Sequence, residues 1–157
     1  MNHASAAIQR LMAKVDKTAD CWNWTGFKHP IGYGVTSLEG EQMQAHRAAY
    51  LLLVGPIPSR MELDHTCHNR ACVNPDHLRA TTHKQNCENR KGAQRNNSTG
   101  VRGVTRIGNR WMAYANHDKR RYSGGRYDTK EEAAAAAVEL RNQLFTHNDA
   151  DRLATTG

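Results

Sequence analysis

The fold is decided by the stretch DHTCHNRACVNPDHLRATTHKQN, residues 64–86, which concentrates metal-binding side chains in one short segment. Cys67, Cys72 and His77 offer sulfur and nitrogen donors, which suit a closed tetrahedral Zn²⁺ site. Asp64 and Asn86 offer oxygen donors, which suit Mg²⁺ because that ion keeps several waters and takes few protein ligands. The stretch therefore predicts two metal sites of different chemistry, one structural and one open.

The structural zinc site needs a fourth ligand to be closed. Cys21 is the favoured candidate, because it begins a predicted strand and would tie that strand to the metal loop. His68 and Cys87 remain open as alternatives. His68 directly follows another proposed ligand, which would strain the geometry. Cys87 follows a proposed ligand on a helix, so its side chain should point about 100° away.

The remaining polar residues of the stretch suit the hydrolysis of a phosphodiester. This reaction needs an activated nucleophile, stabilisation of charge on the phosphate and help for the leaving 3′ oxygen. The ordinary pKa of histidine, about 6.5, lets His65 deprotonate water at neutral pH. A divalent ion held by Asp64 and Asn86 would serve the phosphate and the leaving oxygen. Arg47, at the start of a predicted helix, is a candidate phosphate clamp, with a salt-bridged surface arginine as an equal alternative.

The hypothesis requires the proposed base and a proposed metal ligand, which are adjacent in the chain, to act at one site. Asp64 and His65 are neighbours, and neighbours on an ideal strand face opposite ways. Both serve one site only if the strand ends or twists there.

The charge of the chain indicates an anionic partner. The net charge is +7 and the pI is about 9.5, and basic residues cluster between residues 95 and 126 against the single acid Asp118. A solvated charged face is the plain alternative, but aromatic residues on the same predicted strands favour nucleic acid.

The chain contains no apolar run long enough to span a membrane and no secretory signal at its N-terminus. We therefore expect a cytoplasmic protein, in which four cysteines favour metal over disulfides.

A polar, glycine-containing segment at 93–100 predicts a linker between a domain at 1–92 and a basic domain at 101–157. The first domain is predicted to contain a helix at 5–15, a strand pair at 21–25 and 33–38, a helix at 44–54, and a ββα unit from strands 61–65 and 78–81 and a helix at 82–90. The second is predicted to contain strands at 101–107, 110–116 and 119–124, then a helix from a capping box at Thr129–Glu132 to Phe145. The fold class is α+β.

The first domain resembles the HNH endonucleases of phages and mobile introns, in the ββα-metal superfamily. Asp64-His65 matches the first motif of that family, His77 takes the central position and Asn86 takes the final metal-binding position. The spacing is also similar to that of the His-Cys box homing endonucleases, in which the first histidine is the base, a Cys-Cys-His set with an upstream cysteine binds zinc, and the asparagine binds magnesium. The resemblance covers about 20–92. It implies Cys21 as the fourth zinc ligand and a structural role for His77, whereas Asp64 agrees with the HNH pattern alone.

Residues 98–146 resemble the AP2 DNA-binding domain, through Ser98–Val104, Arg110–Ala113 and Tyr127–Ala134. In that family a three-stranded sheet enters the major groove, and arginine suits the guanine edge there. The resemblance implies DNA contacts from Arg102, Arg106, Arg110, Trp111, Arg120 and Arg126. Trp111 is equally compatible with a place in the core.

The sequence thus predicts a phage-type, homing-endonuclease-like enzyme that cleaves double-stranded DNA, as a monomer or homodimer, in the cytoplasm of a bacterial host. The alternative is a non-catalytic, zinc-stabilised DNA-binding regulator. RNA binding is disfavoured because the stacking aromatics of an RRM are missing.

Overall fold

The computed structural model describes residues 3–18 and 20–154 of the chain. Contacts between residues divide the chain into two compact units, Met1–Asn86 and Cys87–Gly157. The division places residues 87–92 with the second unit, whereas the sequence assigns them to the first domain. The limits of separately folding domains, 1–92 and 101–157, therefore stay a prediction.

The first unit is built from short elements around a small core. In chain order they are α1 (His3–Met12), β1 (Val15–Thr18), β2 (Cys21–Trp24), β3 (Val35–Leu38), β4 (Glu41–Gln44), α2 (Ala45–Leu53), β5 (Glu62–His65), a 3₁₀ turn (Pro75–His77), β6 (Leu78–Thr81) and α3 (His83–Glu88). Trp24 is the largest fully buried side chain, and it packs with apolar residues of α1, α2 and the metal loop. Gly34 lies against its indole, where an added Cβ would come within 2.5 Å of the ring.

The strand pairing at the start of this unit differs from the sequence prediction. Strand β2 pairs with β1, and β3 pairs with β4, whereas the sequence predicts a pair between 21–25 and 33–38. The prediction was wrong because Glu39 and Gly40 have φ of 53° and 85°. Two left-handed residues in a row form the tight turn that joins neighbouring strands of a hairpin.

The ββα unit that carries the proposed chemistry is present as predicted. Strands β5 and β6 are antiparallel, with Asp64 opposite Arg79 and His65 opposite Leu78. The loop between the two strands, residues 66–77, contains Cys67 and Cys72, and α3 follows β6 directly. Together with the second unit this gives the α+β class that the sequence predicts.

The second unit is a three-stranded antiparallel sheet covered by a helix. It comprises β7 (Val104–Ile107), β8 (Arg110–His117), β9 (Arg120–Tyr127), α4 (Lys130–Leu144) and α5 (Asp149–Ala154), with strand order β7-β8-β9. The predicted capping box is confirmed: the Thr129 hydroxyl accepts from the Glu132 amide at 3.2 Å, and the Glu132 carboxylate accepts from the Thr129 amide at 3.1 Å.

Alanines let α4 approach the sheet closely. Ala133 and Ala137 of the helix are fully buried against Val104 and Ala113 of the strands. None of the helices in the described part of the chain has both the length and the apolarity that crossing a bilayer requires.

Candidate metal centres and nucleic-acid interface

Four of the predicted zinc ligands converge on one point. The donor atoms of Cys21, Cys67, Cys72 and His77 all lie within 4.8 Å of one another. His77 Nδ1 is 3.7 Å from the sulfur of Cys21 and 3.5 Å from that of Cys72. Tetrahedral zinc with ordinary Zn–S and Zn–N bonds separates sulfur and nitrogen ligands by about 3.6 Å. The Cys₃His group is therefore consistent with a closed zinc site, and it contains Cys21 rather than the alternatives.

Backbone contacts hold the metal loop against strand β2 and so bring Cys21 to the other ligands. The Trp24 amide donates to Ala71 O at 2.8 Å, and the Val73 amide donates to Trp22 O at 2.8 Å. Asn74 then starts the 3₁₀ turn, since its side chain accepts from the Asp76 amide at 3.1 Å. This turn ends at His77 and delivers its ring to the cysteines.

The thiols of this group are difficult to ionise without a cation. Burial raises the pKa of Cys67 to about 12 and also raises the pKa of Cys72. Zinc binds the thiolate form, so binding would displace these protons and couple metal uptake to pH.

His65 is buried beside the zinc group and has a fixed hydrogen-bond partner. Its Nε2 lies 3.1 Å from the carbonyl oxygen of Cys72, which can only accept. The proton of the neutral ring is therefore on Nε2, and Nδ1 carries the lone pair. Burial lowers the pKa of His65, although the Cys72 carbonyl and the Asp64 charge partly oppose this. A neutral ring at neutral pH is able to accept a proton.

A second buried histidine, His46, lies against the first and was not identified from the sequence. Their ring centroids are 4.6 Å apart in an edge-on arrangement, and the Tyr33 ring lies 6.0 Å from that of His65. Burial lowers the pKa of His46 to about 3, with smaller contributions from His65 and Arg47. His46 therefore adds no positive charge beside His65 at neutral pH. Arg47 is half-buried in the first turn of α2.

Each of the two predicted oxygen ligands has a protein partner, which lies on strand β6 for Asp64 and on strand β5 for Asn86. The buried Asp64 carboxylate accepts from Arg79 Nη2 at 3.0 Å and from Nε at 3.2 Å. Asn86 Nδ2 donates to Glu62 at 2.5 Å, and the other Glu62 oxygen is 2.8 Å from His83 Nδ1. Hydrogen bonds from Asn86 and His83 lower the pKa of Glu62.

Strand geometry groups these acids with each other rather than with His65. Glu62 and Asp64 are two residues apart and share a face of β5, whereas His65 is the last residue of the strand and follows on the opposite face. Glu62 was not predicted from the sequence, where its spacing of two from Asp64 is the one local signal that it gives. The structure thus adds a carboxylate to the oxygen donors near Asn86.

In the second unit, one face of the sheet packs on α4 and the other is free of it. The buried Ala113 and Ala115 mark the packed face of β8, so Met112, Tyr114 and Asn116 belong to the outer face. Pairing places Arg126 opposite Met112 and Arg121 opposite Asn116. Arg121 also lies 4.2 Å from the centroid of the Tyr114 ring.

The six residues proposed for DNA contact occupy different environments. Arg110 and Arg126 are exposed and belong to the outer face; Arg110 pairs with Asp128 at 2.8 Å. Arg106 and Arg120 are exposed but stand opposite Trp111 and His117 of the packed face.

Trp111 and Arg102 are the two least exposed of the set. Trp111 is half-buried against the alanine core. The half-buried Arg102 guanidinium donates to the carbonyls of Glu88 at 3.1 Å and Arg90 at 2.5 Å. Burial lowers its pKa to about 10. Arg102 therefore holds residues 88–90 by hydrogen bonds. Arg121, which was not predicted from the sequence, joins the arginines of the outer face.

Comparison with known proteins agrees with this division of chemistry. The model of an HNH endonuclease family matches residues 43–87, and that of the AP2 domain matches residues 99–147. The chain is 38% identical to Protein 7.7 of Escherichia phage T7 over 69 residues, which cover 44% of this chain and 53% of that protein. It is 30% identical to Protein 2.8 of the same phage over 81 residues, covering 50% and 55%.

A third relative is the uncharacterized gene 5.3 protein of Enterobacteria phage T3, 41% identical over 54 residues, which cover 33% of this chain and 50% of that protein. The chain thus spans about half the length of the curated relatives it matches. No solved structure matches it significantly. The chain therefore carries an HNH endonuclease-type segment with a Cys₃His group, followed by an AP2-type segment, and has homologues among phage proteins.

Proposed function

We propose that this protein is a metal-dependent DNA endonuclease that cleaves double-stranded DNA at preferred sites, in the manner of a homing endonuclease. The observation that carries the proposal is the double role of Cys72. Its sulfur belongs to the Cys₃His group, and its carbonyl fixes the tautomer of the buried His65. A structural zinc ion would thereby hold the general base in place.

Asp64 and His65 leave β5 on opposite faces, but the strand ends at His65, and we take this end to let both residues serve one site. In this mechanism His65 accepts a proton from the attacking water at Nδ1, while Nε2 keeps its hydrogen bond to Cys72. Glu62 is hydrogen-bonded to Asn86 and shares a face of β5 with Asp64, so these three residues would offer the oxygen donors that suit Mg²⁺. An ion held there would supply positive charge to the scissile phosphate and the leaving 3′ oxygen. The hydrogen bonds from Arg79 to the Asp64 carboxylate would then be partly lost, and Arg47 would bind a phosphate oxygen.

The second unit would supply affinity and placement. Arg110, Arg121 and Arg126 on its outer face would enter the major groove, with the Tyr114 ring next to Arg121. Binding through this face would raise the local concentration of the nuclease segment at its site. The phage relatives support the cytoplasm of a bacterial host as the place of action.

The rival function is a DNA-binding regulator that keeps the zinc site but does not cleave. Supercoiled plasmid separates the two, because one nick relaxes it. We expect the wild-type protein to nick plasmid in Mg²⁺, to stop in EDTA, and to resume when Mg²⁺ is added in excess. DNA binding without nicking in Mg²⁺, Mn²⁺ or Ni²⁺ would establish the regulator instead.

A further inference from the structure

The loop between β2 and β3 exposes two large apolar side chains. Phe27 is 71% exposed and Ile31 is 54% exposed. Burying a phenylalanine side chain stabilises a fold, and Phe27 is left exposed instead. Two such side chains within five residues form a small apolar tip, which we define as residues 27–31.

Hydrogen bonds hold the backbone of the tip, although the side chains of Phe27 and Ile31 are exposed. The carbonyl of Phe27 accepts from Trp24 Nε1 at 3.1 Å and from the Val35 amide at 2.9 Å. The carbonyl of Ile31 accepts from Arg70 Nη1 at 2.9 Å. Trp24 is buried in the core of the first unit, so the tip is hydrogen-bonded to that core. A held backbone lets Phe27 enter another molecule without much loss of conformational entropy.

The surroundings of the tip are basic. Lys28 and His29 lie within it and Arg70 lies against it, all exposed. There is no acidic residue from Thr25 to Leu38. An apolar tip flanked by the cations Lys28 and Arg70 is complementary to DNA, in which stacked bases lie between rows of phosphates.

The tip leads directly to the proposed base. Tyr33 follows it in the chain, with its ring 6.0 Å from that of His65. Arg70 lies over the same tyrosine, 5.6 Å from the ring centroid. DNA that contacts the tip would therefore lie next to the catalytic histidine.

We propose that the apolar tip is a wedge for duplex DNA, in which Phe27 inserts at a base step beside the scissile phosphate, Ile31 packs on the adjoining sugar, and Lys28 and Arg70 bind the flanking phosphates. Apolar side chains inserted in this way unstack and kink the duplex. Kinking would open the backbone at the step to His65. This inference rests on the proposed endonuclease function.

The test compares Phe27→Ala with Val54→Ala, a matched control because Val54 is an apolar residue of the same unit that is 55% exposed. Three substrates are used. The first is a fully paired duplex containing a nick position mapped for the wild type, and the second is the same duplex with a two-base mismatch at that step. The third is bis(p-nitrophenyl) phosphate, which has no bases to unstack.

We expect Phe27→Ala to slow cleavage of the paired duplex by on the order of tenfold or more, since unstacking then has no compensation. The mismatch should restore most of that loss, and hydrolysis of the small phosphodiester should stay unchanged. Val54→Ala should match the wild type on all three. Equal losses on every substrate, or no loss on the paired duplex, would overturn the wedge.

A binding measurement separates failure of the wedge from failure of the proposed function. 2-Aminopurine is placed at successive base steps of a footprinted duplex, and its fluorescence is measured in Ca²⁺. The fluorescence should increase at one step with the wild-type protein and should not increase there with Phe27→Ala. A wild-type protein that brightens the probe but cleaves nothing would contradict the endonuclease alone. A wild-type protein that cleaves without brightening any step, or a tip that only mediates self-association in sedimentation, would contradict the wedge.

Discussion

At the residue scale, the least predictable result is which arginines belong to the outer face of the second unit. The sequence suggests Arg120 and Arg126, which would share a face on a regular strand. A register shift between Ala113 and Tyr114 changes this, leaving Gly124 without a partner and placing Arg121 opposite Asn116. A one-residue shift moves the whole strand segment to the other face. Two consecutive glycines indicate an irregularity but do not give its direction.

This register puts the neighbouring residues Arg120 and Arg121 on opposite faces of the sheet, so substitutions at the two positions can be compared directly. We expect Arg121→Gln to weaken DNA binding by about 1 kcal/mol or more and to reduce the salt slope of binding by about one. Arg120→Gln, on a residue equally charged and exposed, should have a smaller effect. Fluorescence anisotropy across a salt series measures both. A stronger effect from Arg120 would contradict the assigned face.

At the element scale, the metal loop was predictable because its chemistry is local. The even spacing of Cys67, Cys72 and His77 predicted three donors, and only a strand elsewhere in the chain was needed for the fourth. Glu62 could not be selected in the same way, because its role depends on Asn86 of α3 reaching back to β5.

Zinc content tests the loop directly. Elemental analysis after dialysis should find about one zinc per chain in the wild type. Cys21→Ser should lose it and lower the free energy of unfolding by about 4 kcal/mol, the stabilisation expected from a ligand at a thousand times its Kd. Cys87→Ser is the control and should keep zinc. A Cys21→Ser protein with full zinc content would refute the assignment of that ligand.

Helix α5 was not predicted, since its six residues show no apolar periodicity, and its attachment is electrostatic. Buried Arg141 donates to Asp151 at 2.6 and 3.1 Å and to Arg102 O at 2.8 Å. Burial raises the pKa of Asp151, but the hydrogen bond and charge of Arg141 outweigh it, so the pKa is lowered.

A lowered pKa in the folded state makes this contribution to stability acid-sensitive. It is present above the unfolded pKa of aspartate, about 3.9, and is lost as pH falls towards the folded value. Urea unfolding should therefore show Asp151→Asn to be less stable than wild type at pH 7, by about 3 kcal/mol as for a broken buried pair. The difference should shrink below pH 4. A difference independent of pH would contradict the role of this ion pair.

At the scale of the whole molecule, the order of the two segments was predictable, but the attachment of Glu88 and Asn89 was not. From the sequence, these two residues belong to a helix at 82–90 of the first domain. Glu88 and Asn89 are nevertheless buried in the second unit, where the Glu88 carboxylate accepts from the Thr146 amide at 3.1 Å and the Asn89 side chain accepts from the Asp149 amide at 3.0 Å. Their partners lie nearly sixty residues away, beyond the reach of local patterns.

The central claim is that His65 is the general base of a DNA-cleaving site held in place by the zinc group. Its most direct test is the initial rate of Mg²⁺-dependent nicking of supercoiled plasmid by His65→Ala, with and without added imidazole. We predict that the nicking rate falls by about 100-fold or more and recovers in part with imidazole. The zinc content and the DNA affinity should be unchanged. A variant that nicks at the wild-type rate while keeping its zinc would contradict the account.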